Sequence, residues 1–164
     1  MKKSTSRKSR KKLDELLRIA VEMKDWDEVR ELLRQEFEVG KMNSGTPTLH
    51  FAADLGRADL VDALIQNGED VNSVNKIKWT ALHLASTNGH VDTVKILIQN
   101  GADVNAIAEY HGTALCQAAK HGRTEVAKVL IRNGADVKSV DNKYLLTPLH
   151  LASCNGYNDI AKLL

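Results

Sequence analysis

The chain has 164 residues, 43% of them hydrophobic and 27% charged, with a formal net charge of +2; this is the balance of a soluble globular domain with a substantial core. Aromatic residues make up only 4%, so that core has to be built from Leu, Ile, Val and Ala. No apolar run approaches the ~18 residues of a membrane span, no apolar stretch before Leu13 completes a secretory signal, and two cysteines, Cys116 and Cys154, are too few for a disulfide framework. An intracellular, reducing compartment, cytoplasmic and/or nuclear, is the expectation.

Residues 1–12 hold seven basic side chains (Lys2, Lys3, Arg7, Lys8, Arg10, Lys11 and Lys12) and no acid. Without them 16 basic residues face 21 acidic ones, so the body is mildly acidic and is not a nucleic-acid-binding domain by composition. A like-charge run with no apolar residue cannot bury a core and reads as a disordered arm. A nuclear import signal, a weak polyanion contact and a solvating tail are all open to it. Ser4, Thr5, Ser6 and Ser9 sit among the basic residues, where phosphorylation would cancel charge.

Residues 13–45 read as an N-terminal capping helix pair and a first hairpin. Leu16, Leu17, Ala20, Val29, Leu32 and Leu33 supply two apolar stripes, and Arg18, Glu22, Lys24, Glu28, Arg30, Glu31 and Arg34 keep the rest polar. A terminal unit of a stacked array needs such a solvated outer face. Trp26, in the turn between the two helices, is expected to pack.

Beyond residue 46 the chain repeats itself. Thr80-Ala-Leu-His-Leu-Ala85, Thr113-Ala-Leu-Cys-Gln-Ala118 and Thr147-Pro-Leu-His-Leu-Ala152 align, Pro47-Thr-Leu-His-Phe-Ala52 keeps the Leu-His pair, and the starts are 33, 33 and 34 residues apart. The same period links Gly56, Gly89, Gly122 and Gly156, and also Asn67-Gly68, Asn100-Gly101 and Asn133-Gly134. Within a unit, Leu49, Ala52 and Ala53 have helix spacing, and Gly56 ends that helix in a left-handed conformation. Asp59 or Asp92 opens a second helix, whose buried stripe is Leu60, Val61, Leu64 and Ile65, or Val91, Val94, Leu97 and Ile98. Asn67-Gly68 and its copies close it. Ala52, Ala85, Ala118 and Ala152 let neighbouring units approach closely. One such helix pair cannot bury both its faces, but a row of them can.

Three matches are specific: Thr147-Pro148-Leu149-His150-Leu151-Ala152, Gly89-His90-Val91-Asp92-Thr93-Val94 and Asn100-Gly101-Ala102-Asp103-Val104-Asn105. With them the chain resembles the ankyrin repeat family, whose period is about 33 residues, over residues 47–164 with a divergent first unit. The resemblance implies an all-α repeat solenoid of helix-turn-helix pairs linked by β-hairpin loops. It divides the chain into repeats at 46–79, 80–112 and 113–146 and an incomplete fourth at 147–164. The last second helix stops at Leu164 without a polar cap, so further repeats are expected to follow.

The recurring His50, His83 and His150 could suggest metal. Stacked helices lie ~10 Å apart, too far for neighbouring imidazoles to share a zinc with bonds of ~2.0–2.1 Å, and Cys116 interrupts the series. In the family this histidine is structural and bonds the preceding Thr hydroxyl. Asp70, Asp103 and Asp136 read as turn residues that accept local backbone N–H groups. They have no base, nucleophile or phosphate loop beside them. No enzyme activity, cofactor, metal, small-molecule substrate or membrane partner is expected. Asn72 and Asn105 each follow Asp-Val, eight residues after a Leu. That pattern resembles the hairpin asparagines modified by a 2-oxoglutarate-dependent hydroxylase in some animal ankyrin proteins, against the plainer reading of Asn as a good hairpin residue.

The resemblance implies a protein-protein interaction module, an adaptor or scaffold, that grips a partner protein with its concave face and hairpin tips. Mapped here, the tips are Val74, Lys76, Ile77 and Trp79; Ile107, Glu109 and Tyr110; and Asn142, Lys143, Tyr144 and Leu145. The adjoining helix ends are Asp54, Leu55, Thr87, Asn88, Lys120, His121, Cys154 and Asn155. Ile77, Trp79, Tyr110 and Tyr144 are bulky where packing does not demand bulk, and Trp and Tyr are enriched among interface hot spots. Two rival readings are the recognition part of a larger enzyme, such as a ubiquitin ligase, and nucleic-acid association through the basic arm. The hairpins also depart from the family: Lys78 and His111 stand where Gly is usual, Gly112 comes one place late, and Asp141–Leu146 carries an extra residue. Other turn shapes are therefore expected there.

Overall fold

The computed structural model describes residues 15–16, 19–20, 23, 25, 27–29, 31–32, 47–141 and 143–164. The basic arm, Leu17, Trp26, Leu33 and Asn142 lie outside them. The chain forms two compact units, Met1–Ser44 and Gly45–Leu164.

In the first unit Glu15, Leu16, Ile19 and Ala20 are helical, as are Asp27–Val29 and Glu31–Leu32. Asp25 begins the second segment: its Oδ1 accepts the Glu28 N–H at 3.1 Å and its carbonyl accepts the Val29 N–H at 3.0 Å, the geometry of an N-cap. Ala20, Val29 and Leu32 are buried as the stripe requires, but Leu16 is exposed. Leu16 keeps the helical spacing without being part of the core.

The second unit is a row of four helix pairs: α1 (Thr48–Asp54) with α2 (Ala58–Gln66), α3 (Ala81–Asn88) with α4 (Val91–Gln99), α5 (Ala114–Lys120) with α6 (Thr124–Arg132), and α7 (Pro148–Cys154) with α8 (Asn158–Leu163). The first helices pack α1 on α3 on α5 on α7, and the second helices pack α2 on α4 on α6 on α8. None exceeds nine residues, below the length at which a helix is stable alone. Stability has to come from stacking. Ala52, Ala85, Ala118 and Ala152 are fully buried between first helices, and Leu60, Leu64, Leu97, Leu130 and Ile160 fill the layer beneath them.

Helices α1 to α7 are each followed by a glycine in a left-handed conformation. Glu69 N–H reaches back to Leu64 O at 3.1 Å and Gly68 N–H to Ile65 O at 2.9 Å, with Gly68 at φ 93°, a Schellman motif. Gly56 and Gly89 have a second constraint. A Cβ on Gly56 would stand 2.6 Å from His90 Nδ1, and one on Gly89 2.9 Å from Arg123 Cδ. The side chain opening the next second helix lies where a Cβ would have to be.

The hairpins are thinner than a β-ladder: among the described residues there is one isolated bridge, Ala108 with Gly112. Two backbone bonds close each loop: Asn75 N–H to Trp79 O, Ala108 N–H to Gly112 O and Asp141 N–H to Leu146 O, all at 2.9 Å, and within them Lys78 N–H to Asn75 O at 3.0 Å, His111 N–H to Ala108 O at 3.3 Å and Leu145 N–H to Asp141 O at 3.0 Å. The expected departures resolve in two ways. Lys78 and Leu145 take left-handed φ values of 61° and 55° themselves, whereas in the second hairpin Gly112, at φ 70°, takes that role in place of His111. A side chain at such a φ costs roughly 1–2 kcal/mol. In the first hairpin Asn75 Oδ1 accepts the Ile77 and Trp79 N–H groups at 3.1 and 3.0 Å. In the third, Asp141 Oδ1 accepts those of Tyr144 and Leu146 at 2.9 and 3.0 Å. These acceptors hold the strained turns in place. Ala108 has none to offer, and there the left-handed position falls on glycine.

Candidate partner-binding face

The loops are held rigidly to the helices by the recurring histidine. Thr80 Oγ1 lies 2.8 Å from His83 Nδ1, and the Thr80 N–H donates to the same nitrogen at 3.2 Å. Because Nδ1 accepts from a backbone N–H, the proton sits on Nε2, which donates to the Gly112 carbonyl at 3.1 Å in the next hairpin. Burial, outweighing that bond, lowers the His83 pKa to about 4, so the ring stays neutral. Thr147 and His150 form the same capping box. His50 donates from Nε2 to Trp79 O at 2.8 Å, but its buried Nδ1 has no partner. Pro47 stands where the capping Thr would be, and it has neither a hydroxyl nor an N–H. At Cys116 the histidine is missing, and Ser139 Oγ meets Thr113 Oγ1 at 3.0 Å instead.

Adjacent turns are clasped by asparagines. Asn72 Nδ2 donates to Gly101 O at 3.1 Å and its Oδ1 accepts the Asp103 N–H at 2.8 Å. Asn105 repeats this with Gly134 O at 3.0 Å and the Asp136 N–H at 2.8 Å. Both amides, the candidate hydroxylation positions, are thus committed to the neighbouring turn. Asp70, Asp103 and Asp136 each accept the N–H two residues on, at 2.9 Å, the turn role expected of them.

On this frame the tips divide into two groups. Val74, Ile77, Ile107, Tyr110, Tyr144 and Leu145 are between 43% and 71% exposed, and they are six of the eight large apolar side chains left exposed among the described residues from Pro47 on. Ile65, Ile96, Ile98 and Ile131 on the second helices are all partly covered. Apolar exposure is therefore concentrated on the hairpins, where no internal packing requires it. Lys76, Glu109, Lys120, Cys154 and Asn155 are also exposed.

Trp79, Thr87, Asn88 and His121 are more enclosed than the apolar tips. Trp79 is half-buried, its ring edge-on to His111 at 5.1 Å and tilted against His83 at 5.8 Å; it braces one hairpin against the next. Thr87 Oγ1 donates to His83 O at 2.8 Å, and its carbonyl accepts Arg123 Nε at 2.9 Å. Asn88 Nδ2 donates to Asp54 Oδ1 at 2.9 Å. His121 is half-buried, and burial, with Lys120 and Arg123 beside it, lowers its pKa. Three of the four are staples between repeats. Sequence reasoning missed the roles of Asn75 and Asp141, although an Asx residue at the head of the first and third loops was the available signal.

Rows of short helix pairs with projecting loops define a repeat scaffold, whose stacking leaves extended surfaces for binding. The family model for ankyrin repeats (3 copies) matches the chain over residues 17–108 and 107–164. The chain belongs to the ankyrin repeat family, whose repeats are in general protein–protein interaction modules and typically non-catalytic. A search of curated proteins found no match to the chain. No helix among the described residues is long and apolar enough to cross a membrane.

Proposed function

We propose that the chain is an adaptor or scaffold that holds a partner protein against the hairpin tips and adjoining first-helix ends. The observation that supports this reading is the concentration of exposed apolar side chains on the three hairpins, from Val74 to Leu145. Tyr110 and Tyr144 are the strongest anchors, because Tyr offers large contact area with little rotamer entropy to lose. Ile77 and Ile107 extend the apolar surface; Lys76, Glu109 and Lys120 give it charge and orientation.

The test is affinity capture from nuclease-treated lysate with three baits: the full chain, a Tyr110→Ala/Tyr144→Ala variant, and a chain lacking residues 1–12. Proteins lost with the double variant but retained without the arm support the reading. Retention by the double variant, or loss on removing the arm, would replace it with a charge-driven contact that falls steeply with salt.

A further inference from the structure

Between the second and third hairpins, above the ends of α5 and α7, lies a cavity of about 250 Å³. Ligand pockets span ~300–1,000 Å³; this one is below that range and of a size to take a single side chain. Its floor is apolar, from Leu146 and Leu151. Its walls are Tyr110, Lys120, Asp141, Lys143 and Tyr144, with Cys154 at the margin.

The charges in these walls are unequally committed. Asp141 is buried and its Oδ1 already accepts two backbone N–H groups of its own turn. Neither Lys120 nor Lys143 forms an ion pair with a described carboxylate. Lys143 Nζ lies 4.8 Å from the Tyr144 ring centroid, so the ring positions the ammonium without neutralising it. Burial lowers the pKa of His111, which also lines the cavity, and Lys120 and Lys143 add to that effect. Asp141 opposes them, so two ammonium groups face one carboxylate in the lining and the cationic charge is in excess. His111 Nδ1 is buried there without a partner.

We propose that this cavity takes the carboxylate side chain, Glu or Asp, of a peptide segment presented by the partner. The apolar floor receives the methylene stem, and the two ammonium groups receive the charge. The lining contains no Arg, whose planar fork favours bidentate recognition of a phosphate. The inference rests on the binding face proposed above and adds the chemistry of one contact on it.

Short random peptides selected against the full chain provide the test. Cys116 is buried and Cys154 exposed, so binders seated in the cavity are those that shield Cys154 from iodoacetamide. They are expected to carry Glu or Asp at one fixed position, and Glu→Gln there weakens binding at least about tenfold. A Lys120→Glu/Lys143→Glu chain reverses the preference to a basic residue. Lys120→Gln/Lys143→Gln, with an unchanged melting temperature, loses about the same affinity as the peptide's Glu→Gln. Shielding peptides with no fixed acid, or tighter binding with phosphoserine in place of the acid, would overturn the inference and leave the binding face standing. If no peptide shields Cys154 the inference also falls, and the capture experiment alone then judges the face.

Discussion

His83 Nε2 lies 3.1 Å from the carbonyl oxygen of Gly112, so the first helix of one repeat is bonded to the hairpin that leads into the helix pair after it. The bond needs a neutral, correctly protonated ring, and this makes the array sensitive to acid. Unfolded, the imidazole titrates near 6.5; folded, burial lowers it to about 4. Below pH 6.5 the unfolded chain takes up a proton that the folded chain refuses. Stability is complete above that value and is lost as pH falls toward 4. His50 is shifted in the same direction, again by burial first. Urea denaturation should show a loss of roughly 2 kcal/mol between about pH 7 and pH 5. His83→Gln should be less stable at pH 7 but lose less on acidification; equal losses in both chains would contradict this role.

Pro47→Thr should stabilise the chain. The buried Nδ1 of His50 has no partner, and a Thr at that position supplies the hydroxyl and N–H that Thr80 gives His83. One added buried bond and a better N-cap contribute about 1 kcal/mol, readable as a rise in the urea midpoint. No rise would mean that His50 is satisfied in some other way.

Gly56→Ala should cost more than Gly68→Ala. Both residues have positive φ, at 72° and 93°, so both variants bear the left-handed penalty of roughly 1–2 kcal/mol. Only Gly56 also has the His90 ring in the path of its Cβ, at 2.6 Å. Chemical denaturation of the two variants compares them directly, and equal costs would show that His90 moves aside freely.

Asn105→Ala removes two bonds to the next turn, to Gly134 O and from the Asp136 N–H. It should destabilise the chain by about 1–2 kcal/mol. Lys138, one repeat on, uses only its backbone N–H in its turn, and Lys138→Ala should be nearly neutral. Thermal melts separate the two outcomes.

Most of the scaffold was legible because its devices are local. Thr80 and His83 are three residues apart, Gly68 follows directly on the helix it caps, and Asp103 bonds two residues ahead. The role of Trp79 was not legible, because it depends on the His111 ring brought beside it by stacking. The bonds of Thr87 and Asn88 were not legible for the same reason: Asp54 and Arg123 come from neighbouring repeats. The exposed side chains at the tips, Ile77, Tyr110 and Tyr144, could be read early because loops facing solvent need no partner within the chain. The cavity beside Tyr144 could not, since it forms only when α5, α7 and two hairpins meet.

Amide hydrogen exchange on the full chain, with and without a partner captured as above, tests the binding face most directly. Protection should rise in residues 74–79, 107–112 and 143–146 and at the ends of α5 and α7, and stay unchanged in α2, α4 and α6. Protection gained on those second helices, with the hairpins unaffected, would place the partner on the opposite side and contradict the account.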